Sequence, residues 1–128
     1  MSNLPNELKY ASSHEWARLE DDGTVTVGIT DHAQQALGDV VFVEIETEDE
    51  DLDSAAVFGT VEAVKTVSDL FMPLAGKVIE VNAALEGDPE LVNKDPYGDG
   101  WMIKLKCSDL SQAENLMSAD DYKTLVGA

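Results

Sequence analysis

Basic residues are scarce in this 128-residue chain, where 8 Lys and Arg stand against 26 Asp and Glu to give a formal net charge of -18. A surface that binds nucleic acid must set Lys and Arg against the phosphates, so that class of partner is excluded. Polybasic attachment to an anionic membrane surface is excluded for the same reason. Cysteine is nearly absent, and the single Cys107 cannot form an intrachain disulfide. No apolar run is long enough to cross a bilayer as a helix. The opening MSNLPNELKY carries neither a basic-then-apolar signal nor an Arg-rich transit pattern. A cytoplasmic, bacterial protein is the expectation. Catalytic motifs are missing too: there is no Cys-x-x-Cys, His-x-x-x-His, Gly-x-Ser-x-Gly or phosphate-cradling glycine loop.

What is present is a 44% hydrophobic fraction arranged in short ordered runs, so the high charge does not imply disorder. A compact chain of this length buries roughly two thirds of its unfolded surface, enough for one folded domain over 1–128 without disulfides or metals. Thr24-Val25-Thr26-Val27-Gly28-Ile29 alternates as a half-buried strand does, and Asp21-Asp22-Gly23 links it in a hairpin to His14-Glu15-Trp16-Ala17-Arg18-Leu19. Thr30 is placed to cap a short helix over Asp31–Leu37, which Gly38 ends. A β-branched strand follows over 39–46. The acidic run 47–54 reads as a solvated loop, since crowded like charges repel on a regular face.

Two segments then share one frame. Gly59-Thr60-Val61-Glu62-Ala63-Val64-Lys65 and Gly76-Lys77-Val78-Ile79-Glu80-Val81-Asn82 both read Gly-x-Val-x-x-Val followed by a polar residue. Such similarity either marks two copies of a strand unit related by an approximate two-fold axis or arises by chance. With Pro73-Leu74-Ala75-Gly76 as the next turn, Lys65 falls at or beside a hairpin tip within the stretch 56–82. Later elements are a short helix led by Pro89 over 88–93, a loop over 96–100 and a strand over 101–106. A C-terminal helical segment spans about 111–127; within it Ser118-Ala119-Asp120-Asp121 resembles a capping box opening a helix to Val126, with Gly127 as its stop.

Individual candidates for chemistry are few. Asp49, Asp51 and Asp53 occupy positions one, three and five of a calcium loop, but Ser54 stands where Gly is needed and Thr60 where Glu is needed. No metal site is expected. His14 and His32 are the only histidines and the first candidates for a general base; no nucleophile accompanies them, and a strand histidine and a helix-surface histidine are the plain readings. Trp16 and Trp101 are core or rim aromatics, and Cys107 is a partly buried thiol. Lys65 is the only basic residue between Arg18 and Lys77. It is either an ion-pair partner for Glu62 or Asp69, or an exposed amine that a modifying enzyme can acylate.

The chain resembles the H-protein family of the glycine cleavage system. The matching residues are Ser13-His14-Glu15-Trp16, Gly28-Ile29-Thr30-Asp31-His32-Ala33-Gln34, Leu37-Gly38-Asp39-Val40-Val41-Phe42-Val43-Glu44, both Gly-x-Val-x-x-Val segments, Ser68-Asp69, Pro73, and Asn93 with Pro96-Tyr97-Gly98 and Gly100-Trp101. They run in the family's order over nearly the whole chain. The resemblance implies a mainly β fold with short α-helices, the barrel-sandwich hybrid of lipoyl and biotinyl domains, with two small antiparallel sheets related by a pseudo-two-fold. It implies lipoic acid in amide linkage to Lys65, attached by a lipoate ligase or a lipoyl or octanoyl transferase. It implies a carrier and not an enzyme. The glycine decarboxylase P protein loads an aminomethyl group, the aminomethyltransferase T protein removes it, and the dihydrolipoamide dehydrogenase L protein reoxidises the arm. Ser13, Glu15 and Asp69 match the positions that line the cleft receiving the loaded arm, and Glu62 is grouped with them.

The sequence departs from the family pattern at Ala63 and Thr66, where Ser and Ala are usual, at Ala75, where Ser is usual, and in the acidity of 47–54. These departures bear on partner preference rather than on the lysine. Three other readings remain open here: a biotin carrier, although Val64 and Thr66 replace the usual flanking Met; a relay donating lipoyl groups to 2-oxo acid dehydrogenases; and an acidic calcium-binding or structural module.

Overall fold

The computed structural model describes residues 8–20, 22–107 and 116–126, and over these the chain is built mainly from short antiparallel strands. The expected hairpin forms between β2 (Glu15–Leu19) and β3 (Thr24–Ile29), with Gly23 at φ 87° and the Asp22 carboxyl accepting from the Thr24 amide at 3.0 Å. β3 differs from the half-buried strand its alternation suggests, because Val25 through Ile29 are all buried. Trp16 is the cause: it lies so close over Gly28 that a β-carbon there would sit 2.7 Å from its Cζ2. The indole N–H then donates to the Pro96 carbonyl at 2.9 Å.

Helix α1 (Asp31–Leu37) begins where expected, with the Thr30 hydroxyl accepting from the Ala33 amide at 3.1 Å. It ends at Gly38, whose φ of 82° is disfavoured for residues carrying a β-carbon. β4 (Val40–Glu44) pairs with β6 (Val57–Ala63), and β6 pairs with β7 (Val67–Phe71), giving a three-stranded sheet. The other sheet has six strands, in the order β1 (Lys9–Tyr10), β2, β3, β9 (Ile103–Cys107), β8 (Gly76–Val81) and β5 (Asp51–Leu52). The sheets are therefore unequal. The two Gly-x-Val-x-x-Val copies fall in different sheets at like places: β6 lies between β4 and β7, and β8 between β5 and β9.

Side chains from both sheets meet in one core, including Val43, Phe58, Val61 and Leu70 from the smaller and Val27, Val78, Ile103 and Leu105 from the larger. A second cluster joins Leu8, Tyr10 and Trp16 to Ala119 and Tyr122 of α4 (Ala119–Val126), the helix whose first turn is capped by the Ser118 hydroxyl accepting from the Asp121 amide at 3.2 Å. Gly127 and 111–115 lie outside the described residues. No helix among the described residues is long and apolar enough to cross a membrane.

Three local expectations are corrected. The acidic run is not all loop, since Asp51 and Leu52 form β5 against β8, with Asp51 opposite Lys77 and Leu52 packed on the core. Backbone pairing with β8 and the one apolar anchor, Leu52, hold this short strand within the acidic run. The single helix at 88–93 is instead two one-turn helices, α2 (Ala84–Gly87) and α3 (Leu91–Lys94), with Pro89 in the turn between. The strand expected from Trp101 begins at Ile103, because the Trp101 carbonyl is taken by the buried Asn82 side chain at 2.8 Å.

Candidate functional site

Lys65 stands at the tip of the β6–β7 hairpin. The tip is closed by the Ala63 amide donating to the Thr66 carbonyl at 2.8 Å and is tied to the end of α1 by the Val64 amide donating to the Asp39 carbonyl at 2.9 Å. Val64, Lys65 and Thr66 are exposed. The aliphatic stem of Lys65 runs over Gly38, with Cε 3.2 Å from where a β-carbon on that glycine would lie. Ion pairs among the described residues are Arg18–Glu20 and Lys94–Glu90, so Lys65 is bound to neither Glu62 nor Asp69. An accessible amine on a fixed tip is the outcome.

Beside it, a cleft of about 150 Å³ lies along α1. Ala33, Ala36 and Leu37 form one wall, Ser68, Asp69 and Leu70 of β7 another, and Ser13, His14 and Glu15 the polar end. From His32, also on the wall, to Gly38 beneath the lysine stem is six residues of chain, about 9 Å along a helix. Lysine and cleft thus share α1 as a common wall.

Glu15 is only 1% exposed, and burial pushes its carboxyl up to about 7. The Ser13 hydroxyl donates to one of its oxygens and the Phe71 amide donates to the other at 3.3 Å, both pulling the other way. A carboxyl that titrates near neutrality can meet an amine either as acceptor or as proton donor. His14 follows Ser13 with φ 78°, and its Nδ1 lies 2.7 Å from the Tyr122 hydroxyl. Its ring stands 5.1 Å from that of His32. Burial, and then the neighbouring His32, hold His14 below the ordinary histidine range.

The residues Ser13, Glu15 and Asp69, which the resemblance grouped, line this one cleft. Glu62 is not: it is exposed, and alternation along β6 turns it away from the face on which Val61 lines the cleft. Sequence reasoning passed over Ser68, His14 and His32 as lining residues. A signal existed for His32, since His32, Ala33, Ala36 and Leu37 recur at the spacing of one helix face. For His14 nothing local announces the contact with Tyr122, 108 positions away. Among the described residues no three His, Cys, Asp or Glu side chains gather as a metal site would require.

Comparison with known proteins gives the chain's family. The glycine cleavage H-protein family matches residues 8–128. The chain is similar to the glycine cleavage system H protein of Bacteroides fragilis, at 57% identity over 126 residues covering 98% of this chain and 99% of the relative. It is similar to that of Bacteroides thetaiotaomicron, at 58% over 124 residues covering 97% and 98%. Its structure resembles the crystal structure of a glycine cleavage system H protein from Mycobacterium marinum, with a TM-score of 0.88 at 37% identity, covering 97% of this chain and 99% of that one. The chain belongs to the glycine cleavage H-protein family, whose members are carriers rather than enzymes.

Proposed function

We propose that Lys65 carries lipoic acid in amide linkage and that the chain, as one domain over 1–128, shuttles the aminomethyl group of glycine in the cytoplasm. The observation that carries this reading is the exposed amine of Lys65 at a hairpin tip, its stem lying over the end of the helix that walls a polar-ended cleft. A lipoate ligase, or a lipoyl or octanoyl transferase, attaches the group. When bound, the lipoyl group would supply a disulfide able to take up the one-carbon unit with its amine, and would be left as a dithiol, two electrons more reduced, once that unit has gone. The P protein (glycine decarboxylase) loads, the T protein (aminomethyltransferase) unloads, and the L protein (dihydrolipoamide dehydrogenase) reoxidises.

The chain's own residues bind and shelter. Glu15 and Asp69 offer carboxyl oxygens to the cargo ammonium, a charge-assisted contact. Ser13 orients Glu15 by its hydrogen bond. Ile29, Leu37, Val61 and Leu70 keep water from the cleft that they line. Acylation removes one positive charge, taking the net charge of -18 to -19.

The test is the intact mass of protein from its native host grown with lipoate, with the modified site localised. A lipoyl amide on Lys65 is expected, and an unmodified Lys65 in that material overturns the proposal. Lys65→Arg is expected to keep the fold and abolish glycine decarboxylation in a reconstituted system.

A further inference from the structure

Three hydroxyl and ring groups from distant parts of the chain form one relay that runs from the buried Thr30 and Tyr122 to the half-buried His14 on the cleft wall. The Thr30 hydroxyl accepts from the Ala33 amide at 3.1 Å and lies 2.8 Å from the Tyr122 hydroxyl, which in turn lies 2.7 Å from Nδ1 of His14. Thr30 is fully buried, so its hydroxyl hydrogen needs an acceptor. The acceptor within reach is the oxygen of Tyr122. With that oxygen receiving from Thr30, the Tyr122 hydrogen has His14 Nδ1 to go to. Nδ1 therefore accepts, and the ring proton sits on Nε2.

The imidazole is pinned from the backbone side as well. The His14 amide donates to the Ala11 carbonyl at 2.9 Å, and its own carbonyl accepts from the Thr30 amide at 3.0 Å. Tyr122 is held by stacking on Tyr10, with ring centroids 5.0 Å apart and planes at 14°. Protonating Nδ1 would reverse the chain of donors and leave a buried hydroxyl hydrogen without an acceptor. The titratable groups around His14 are Glu15 next along the chain, His32 on α1, Asp69 on β7 and Tyr122 on α4.

We propose that Tyr122 is a positioning residue for the cleft: it holds His14 as the neutral Nε2–H tautomer, so that no positive charge at His14 opposes entry of an amine toward Glu15 and Asp69. The cargo amine in this statement rests on the proposed function, whereas the state of His14 does not. Tyr122→Phe keeps the ring and its stacking partner while deleting the relay oxygen. A charged His14 in this variant repels the ammonium at mildly acid pH, and the effect disappears at alkaline pH, where His14 is neutral in both proteins.

The first measurement is nitrogen-15 NMR of the unmodified chain across pH, read at His14. Expected are the Nε2–H tautomer with Nδ1 as acceptor in the wild type, and in Tyr122→Phe a loss of that tautomer bias with the His14 midpoint moved upward. An Nδ1–H tautomer in the wild type, which needs no variant to detect, overturns the proposal; so does an unchanged His14 titration in a folded Tyr122→Phe. Thr30→Ser, which keeps the hydroxyl, is expected to preserve the wild-type tautomer, and Thr30→Val to lose it. The second measurement is ammonia release from the loaded chain. Release is expected to be on the order of tenfold faster in Tyr122→Phe at mildly acid pH, the factor carried by one unit in a proton-binding midpoint, and equal to wild type near pH 9. A difference that is the same at every pH marks general loosening and overturns the positioning role. A wild-type chain that cannot be loaded overturns the proposed function, and the NMR result alone then decides this inference.

Discussion

The stem of Lys65 lies across Gly38, its Cε 3.2 Å from the position a β-carbon on that glycine would take. Helix end and hairpin tip therefore constrain one another, and the tip is further tied by the Val64 amide to the Asp39 carbonyl.

Gly38→Ala should disturb both partners of that contact. The φ of 82° is strained for alanine, at about 1–2 kcal/mol, and the new methyl group presses on the lysine stem. Chemical denaturation should show that loss. The extent of Lys65 acylation by a purified ligase should fall relative to the wild type at equal folded protein; unchanged acylation would mean the tip adapts freely.

Glu15 makes stability depend on pH in a defined direction. In the folded chain its carboxyl keeps its proton up to about 7, whereas the unfolded group releases it near 4.5. The folded state thus binds the extra proton between those values, and stability is lost as pH rises through that window. The gap between about 7 and 4.5 corresponds to about 3 kcal/mol. Glu15→Gln removes this slope, so its stability relative to wild type should climb from pH 4.5 to 8. Parallel curves for the two proteins would show that the carboxyl is better solvated than its burial implies. The same variant should retain a loaded arm poorly, because the ammonium loses a carboxylate acceptor.

Across the edge of the larger sheet, Asp51 faces Lys77. A double-mutant cycle with Asp51→Ala and Lys77→Ala should return a coupling of about 0.2–1 kcal/mol that shrinks with salt. Zero coupling at low salt would leave Leu52, packed on the core, as the anchor of β5.

Docking should also respond to salt. With a net charge of -18, the chain's field would steer a basic partner face at long range, which raises association rates more than it tightens complexes. Turnover with the T protein at limiting carrier should fall as salt rises from low to physiological concentrations. Salt-independent turnover would indicate that contact is governed by apolar and shape terms.

Much of this was legible in the sequence where one local rule decides the outcome. Thr30 as cap, Gly38 as stop and the tip position of Lys65 follow from capping, left-handed geometry and strand alternation, each acting over a few residues. Ser13, Glu15 and Asp69 line one cleft, although composition alone could not have set β2 of one sheet against β7 of the other. What escaped depends on distant partners. Gly28 is buried because Trp16 lies over it, and the buried Thr26 donates its hydroxyl to the Glu20 carboxyl at 2.6 Å; a period of two can report neither. β5 forms because Leu52 reaches the core and its strand registers with β8, far along the chain. One-turn helices such as α2 contain too few residues to show a period at all. Tyr122 reaches His14 only once both termini of the fold are in place.

The repeated frame has a consequence at its last position. In the first copy that place is Lys65, at an open tip; in the second it is Asn82, which is buried, donates to the Asp99 and Trp101 carbonyls at 2.8 Å and accepts from the Ala84 amide at 3.2 Å. The shared frame thus ends in an accessible amine after one strand and in a hydrogen-bonded amide, closed to solvent, after the other. Sealing one of these ends with a saturated amide leaves the sandwich with a single handle.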